Sequence, residues 1–147
     1  MITGDLYSHG VDVNGKKVVS HFYHHDDNLM VTNITSLDLD IKATESITAL
    51  SDVVLLYVTL DGLNKIYEDF PYMYKIKSIA NAVELNKSKQ DNMDFREMED
   101  FEWLENLYLL RPYLFFPPFK IHLESYCPFS PRSFDTHFKI LKIKYKF

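Results

Sequence analysis

"LYSHGVDVNGKKVVSHFY" (Leu6–Tyr23) carries the clearest local signal in the chain. Asn14-Gly15 supplies the positive φ angles of a two-residue type I′ turn, and β-prone residues flank it on both sides. Pairing outward from that turn sets Val11 against Val18, Tyr7 against Phe22 and Leu6 against Tyr23. An antiparallel hairpin is thus the element from which the rest is read.

The second strand runs into "SHFYHHDDN" (Ser20–Asn28), three histidines and two aspartates in nine residues. Metal ligands must converge within ~2–2.5 Å of one ion. On an extended strand His21 and His25 share a face but stand roughly 13 Å apart, while His24 points the other way, beside Asp5 across the pair. Extended geometry therefore forbids a shared ion, and the expectation is that no metal is held. Only a turn at His24 would gather His24, His25, Asp26 and Asp27, and Asp-Asp-Asn is good turn chemistry.

Beyond the hairpin, "LMVTN" (Leu29–Asn33) is a candidate short strand, and "SLDLDIKA" (Ser36–Ala43) alternates with the period of a half-buried one. "DVVLLYVTL" (Asp52–Leu60) is apolar on both faces and reads as a central strand covered on both sides. "LNKIYEDFPYMY" allows a short helix that Pro71 ends, and "KIKSIANAVEL" fits strand or helix equally. The best helix runs from about Asn92 to Leu110, with Asp91 or Asn92 as cap and Pro112 as stop. Five of the six prolines then fall in a segment, "RPYLFFPPFKIHLESYCPFSPRSF", that reads as irregular or edge-like. The closing "FKILKIKYKF" alternates Leu141, Ile143, Tyr145 and Phe147 with lysines, the pattern of a strand with one apolar and one cationic face. These elements predict an α+β fold: an antiparallel β-rich single domain, residues 1–147, of five or more strands with one principal helix near residues 92–110.

Composition narrows function by exclusion. At 147 residues with 46% hydrophobic and 25% charged residues, the chain fits one ordinary core. Thirteen lysines against three arginines, with few glycines and many Ile, Asn, Tyr and Phe, suggest an AT-rich genome. "MITGDLYSHG" lacks the basic start and apolar run of a secretory leader, and the longest apolar run is too short to span a bilayer. The lone Cys127 makes no internal disulfide. The expectation is synthesis in the cytoplasm, with no membrane partner. There is no glycine-rich phosphate loop and no nucleophile elbow, and "YCPF" offers Cys127 no cation to activate it. The net charge of −5 opposes nucleic-acid binding. Neither an enzymatic role nor a cofactor is expected.

Charge is segregated. Residues 91–110 carry a net of −6 and residues 111–147 a net of +5. Within the helix, Phe101, Leu104 and Tyr108 form one apolar stripe and Trp103, Leu107 and Leu110 another on a nearly opposite side. Two apolar faces mean burial between layers or a partner on one side. The partner reading takes Trp103, Leu107, Leu110, Phe115 and Phe116 as apolar contacts. Glu99, Glu102, Lys142, Lys144 and Lys146 are then the charges that set register. On this reading the protein is a non-catalytic structural or assembly protein, an oligomer contacting other subunits of the same or a different chain, with a phage or viral particle as its setting. The alternatives are a small acidic inhibitor or immunity protein covering a basic surface, and a small metal-dependent enzyme built on His24–Asp27.

Overall fold

Three residues, Val13–Gly15, close the hairpin where two were expected. Asp12 N–H donates to Lys16 O at 2.9 Å and Gly15 N–H donates to Asp12 O at 3.0 Å. Of the expected pair only Gly15 has a positive φ, 80°, as in a turn completed by one left-handed glycine. The Asp12 carboxylate braces the turn, accepting from the Asn14 and Lys16 amides at 2.9 and 2.8 Å.

The longer loop shifts the register by one, setting Val11 opposite Lys17 instead of Val18. A bulge removes the shift. Ser8 pairs with His21 and His9 with Val19, leaving Ser20 extra. Beyond it Tyr7–Phe22, Leu6–Tyr23 and Asp5–His24 stand opposite each other as the turn centre predicts. The strands are β1 (Asp5–Val11) and β2 (Lys17–His24). A short β3 (Ser46–Ala49) pairs antiparallel with the other edge of β1, giving the order β2-β1-β3. Just before β1, a Thr3–Val54 bridge continues this edge. Gly4 lies there at φ 100°, and a Cβ on it would fall 2.5 Å from Asp52 O, so only glycine fits.

The computed structural model describes residues 3–27, 31, 41–79, 81–82 and 98–147. The chain divides into two compact units, Met1–Leu56 with Asp100–Phe147, and Tyr57–Glu99. In the second unit, α1 (Leu60–Asp69) is capped by Thr59, whose hydroxyl accepts from Gly62 N–H, and it ends before Pro71 as expected. Residues 72–79 form α2. Tyr67 of α1 is buried against Tyr74 of α2, rings stacked at 4.2 Å.

The first unit adds three helices to the sheet: α3 (Asp100–Leu110), α4 (Lys120–Tyr126) and α5 (Pro131–Tyr145). A 3-10 turn, Pro112–Phe115, follows α3. On α5 the Ser130 hydroxyl accepts from Ser133 N–H, Pro131 takes the first helical position and Lys146 closes the helix at φ 57°. Phe134, Phe138 and Leu141 make its buried face. The packing of α3 on α5 is parallel: Asp100 reaches Ser133 and His137, and further along Tyr108 packs on Tyr145 and Phe147. Parallel neighbours need a crossover, and the 3-10 turn with α4 provides it. Phe119, just before α4, and Tyr126 at its end meet Phe22 of β2 at 5.6 and 5.1 Å, and His122 of α4 stacks on Tyr7 at 4.3 Å. Leu104, Leu114, Leu123 and Leu141 are fully buried between these layers, each side chain worth about 1.5–3 kcal/mol relative to exposure.

These elements correct the expected fold. Among the described residues there is one three-stranded antiparallel sheet and about half are helical, so the molecule is α+β but not β-rich with five or more strands. The closing stretch is the second half of α5. Its alternation misled because the i, i+2 spacing of Leu141, Ile143 and Tyr145 covers little more than one turn, and Ile143 is 79% exposed. The spacing that decides is Phe134, Phe138, Leu141, Tyr145, after a Ser-Pro start. The proline-rich segment is not irregular: its prolines lie in the 3-10 turn and the loops, and one opens α5. "DVVLLYVTL" is not a covered central strand. Among the described residues its backbone pairs in the sheet only at Val54, its last residue Leu60 opens α1, and β1 takes the central place. The principal helix begins at Asp100 among the described residues. All but Val31 of the strand expected at Leu29–Asn33, most of that at Ser36–Ala43 and the helix start at Asn92 lie outside them.

Candidate functional site

The residues expected to meet a partner separate into two groups. Trp103 is 6% exposed, its ring 5.6 Å from Phe129 and 6.1 Å from Tyr126, and Leu107 and Phe115 are buried with it. Both stripes of α3 therefore contribute to the core of their own unit, with Leu104 at 0% and Phe101 and Tyr108 half-buried. Leu110, 73% exposed, and Phe116 remain on the surface. Glu99, Glu102, Lys144 and Lys146 are exposed, and Lys142 is half-buried with its Nζ over the Phe138 ring at 5.3 Å.

Part of the segregated charge closes on itself. Lys144 Nζ lies 2.5 Å from Glu105 Oε1, and the Tyr145 hydroxyl donates to the same oxygen at 2.8 Å. The Lys144 and Tyr145 hydrogen bonds hold the Glu105 carboxyl below the usual carboxylate range. A lysine of α5 and an acid of α3 thus meet because the two helices are parallel neighbours, which no local pattern announces.

The densest cluster of chemistry-bearing side chains sits at the open end of the hairpin. The chain does turn there, in a 3-10 helix over His25–Asp27. That turn takes His25 off the strand and swings its ring to 4.2 Å from the His24 ring. His24 Nδ1 lies 2.6 Å from Asp5 Oδ1, and His25 Nδ1 lies 4.0 Å from the same oxygen. On the far side of both rings stands Asp26, with Oδ2 3.5 Å from His24 Nε2 and Oδ1 3.4 Å from His25 Nε2. Asp5 is fixed by its strand: its N–H donates to Ser51 Oγ at 2.9 Å and its carbonyl accepts from Leu50 N–H at 2.9 Å. The His24 ring is stacked on Tyr113 at 4.4 Å and meets Phe119 edge-on at 5.9 Å. Ligand atoms of Asp5, His24 and His25 lie within 4.8 Å of one another. Asp5, nineteen residues before His24, joins the cluster only through strand pairing. The register Asp5–His24 was the signal for it.

Other titratable groups are built into the packing. Cys127 is buried, and burial, with the charge of Glu124 behind it, pushes its thiol far up, away from thiolate chemistry. His122 lies between α4 and the sheet, where burial first, then the nearby Lys17 and His9, hold its imidazole below the ordinary value. No helix among the described residues is long and apolar enough to cross a membrane. No known protein family model, no curated protein and no solved structure matches this chain.

Proposed function

We propose that this chain is a non-catalytic interaction protein that acts by binding other protein chains. The observation that supports this reading is the segment Val54–Leu56. Its three side chains are 51%, 45% and 83% exposed, and beyond the Val54 bridge its backbone makes no main-chain hydrogen bond among the described residues. Apolar side chains in water beside open backbone donors and acceptors are what a second chain can cover by lying alongside as an added strand. The contact first expected at the Trp103 stripe moves here, because Trp103 and Leu107 are occupied within their own core.

The test is the mass of the purified full-length protein by light scattering at rising concentration, with Leu56→Asp measured beside it. Self-association in the wild type, and a monomer with unchanged circular dichroism in the variant, is the expected result. A wild type that stays monomeric throughout, or a variant that loses its fold instead of its partner, overturns the reading.

A further inference from the structure

We propose that Asp5, His24 and His25 bind one divalent first-row transition-metal ion, zinc being the best match, through Asp5 Oδ1 and the Nδ1 atom of each imidazole. The donor set selects the ion. Two imidazoles and a carboxylate suit zinc and its neighbours, whereas calcium and magnesium take oxygen ligands.

Geometry brings the donors near enough. Bonds of ~2.0–2.1 Å at tetrahedral angles put ligand atoms about 3.3 Å apart. The His24–Asp5 separation of 2.6 Å must open and the His25–Asp5 separation of 4.0 Å must close. Each of these two changes is under about 1 Å, and the three ligand atoms all lie within 4.8 Å of one another.

Asp26 supplies the independent support. A metal-bound histidine ordinarily donates its other ring N–H to a carboxylate, which fixes the tautomer and aims the free nitrogen at the ion. Here one carboxylate serves both rings, each oxygen facing one Nε2 at 3.4–3.5 Å. That leaves both Nδ1 atoms on the side of Asp5. The 3-10 turn makes this possible, because it brings His25 and Asp26 back against the His24 ring. Tyr113 and Phe119 hold the His24 ring from behind, while the His25 side chain, 44% exposed, leaves a path for the ion. A bound ion would tie the start of β1 to the turn after β2 and clamp the open end of the hairpin, independently of any contact at Val54–Leu56.

The experiment uses the full-length chain without a histidine tag, titrated with zinc chloride in a calorimeter and followed by thermal melting. One zinc per chain and a higher melting temperature are expected, with calcium producing neither. Asp5→Asn and His25→Ala should each weaken zinc binding at least ~10-fold, and Asp26→Asn by ~10-fold or more through the lost orientation of the rings. His137→Gln should bind as the wild type does. Circular dichroism checks each variant, and His25→Ala decides if Asp5→Asn fails to fold, because the His25 side chain lies on an exposed turn. Folded wild-type protein that binds no zinc, or zinc binding unchanged in both His25→Ala and Asp26→Asn, overturns the proposal.

Discussion

The longest apolar run of the chain and its most proline-rich stretch lie in opposite surroundings. Val54, Leu55 and Leu56 face water, while residues 112–141 bury Leu114, Phe115, Phe119, Leu123, Phe134, Phe138 and Leu141. Composition alone would exchange them. The difference is one of available neighbours: burial needs a second surface, and hydrophobicity does not supply it. The prolines of residues 112–131 divide that stretch into a 3-10 turn and two helices. The breaks set each aromatic face against β2, α3 or its own neighbour. Among the described residues, Val54–Leu56 has a single bridge and its three residues stay exposed.

The largest test of this contrast is on the buried side. Trp103→Ala should cost ~3–5 kcal/mol of folding stability and Leu123→Ala ~2–5 kcal/mol, measured by urea or thermal unfolding. A Trp103→Ala protein with full stability would return Trp103 to the surface and break the comparison.

Next in size is the punctuation itself. Ser130→Ala removes the acceptor for Ser133 N–H at the start of α5 and should cost about 1 kcal/mol in the same assay. No loss would mean that Pro131 and the buried face of α5 set the helix start without the cap.

Smaller still is a pH effect. His122 is held below its ordinary value, so as pH falls the unfolded chain takes up its proton before the folded one. The stability this contributes is whole above the ordinary histidine value of about 6.5 and is lost as pH falls through and below it. His122→Phe keeps a ring against Tyr7 and should flatten the fall in stability between about pH 7 and 5. An unchanged slope would place the acid sensitivity on other groups.

On the exposed side the expected change in stability is the smallest. Leu56→Asp should stay within about 0.5 kcal/mol of the wild type while abolishing self-association. A large loss of stability would show that the run is covered after all and sharpen the comparison in the other direction.

Where the deciding interaction is local, the sequence shows it. Asn14-Gly15 locates the hairpin, and the pairing of Leu6–Tyr23 and Tyr7–Phe22 follows from it. Even the wrong loop length left that pairing intact, because the bulge at Ser20 returned the one residue that the turn had taken. Pro71 stops α1 for the same local reason, whereas its start at the Thr59 cap lies inside the stretch that reads as a strand, Asp52–Leu60. In α5 the Ser-Pro start and the four-residue aromatic spacing were equally present. A short alternation at the end outweighed them because strand and helix periods coincide over so few residues.

The candidate metal site shows the same division. The histidines and the turn chemistry of Asp26-Asp27 stand together in the sequence, and so does the pairing that sets Asp5 beside His24. Whether the chain leaves the strand before or after His25 is a choice of one residue, and it decides whether His24 and His25 point to opposite faces of the strand or lie side by side near Asp5. Sequence by itself determined the hairpin, its register at the buried end, the stop of α1 before Pro71 and the inert surroundings of Cys127. Tertiary structure alone decided which apolar face found a cover, why α3 is buried on both sides, and that Lys144 would meet Glu105. Those outcomes depend on contacts between segments far apart in the chain, and short-range periodicity carries no information about which surfaces will meet.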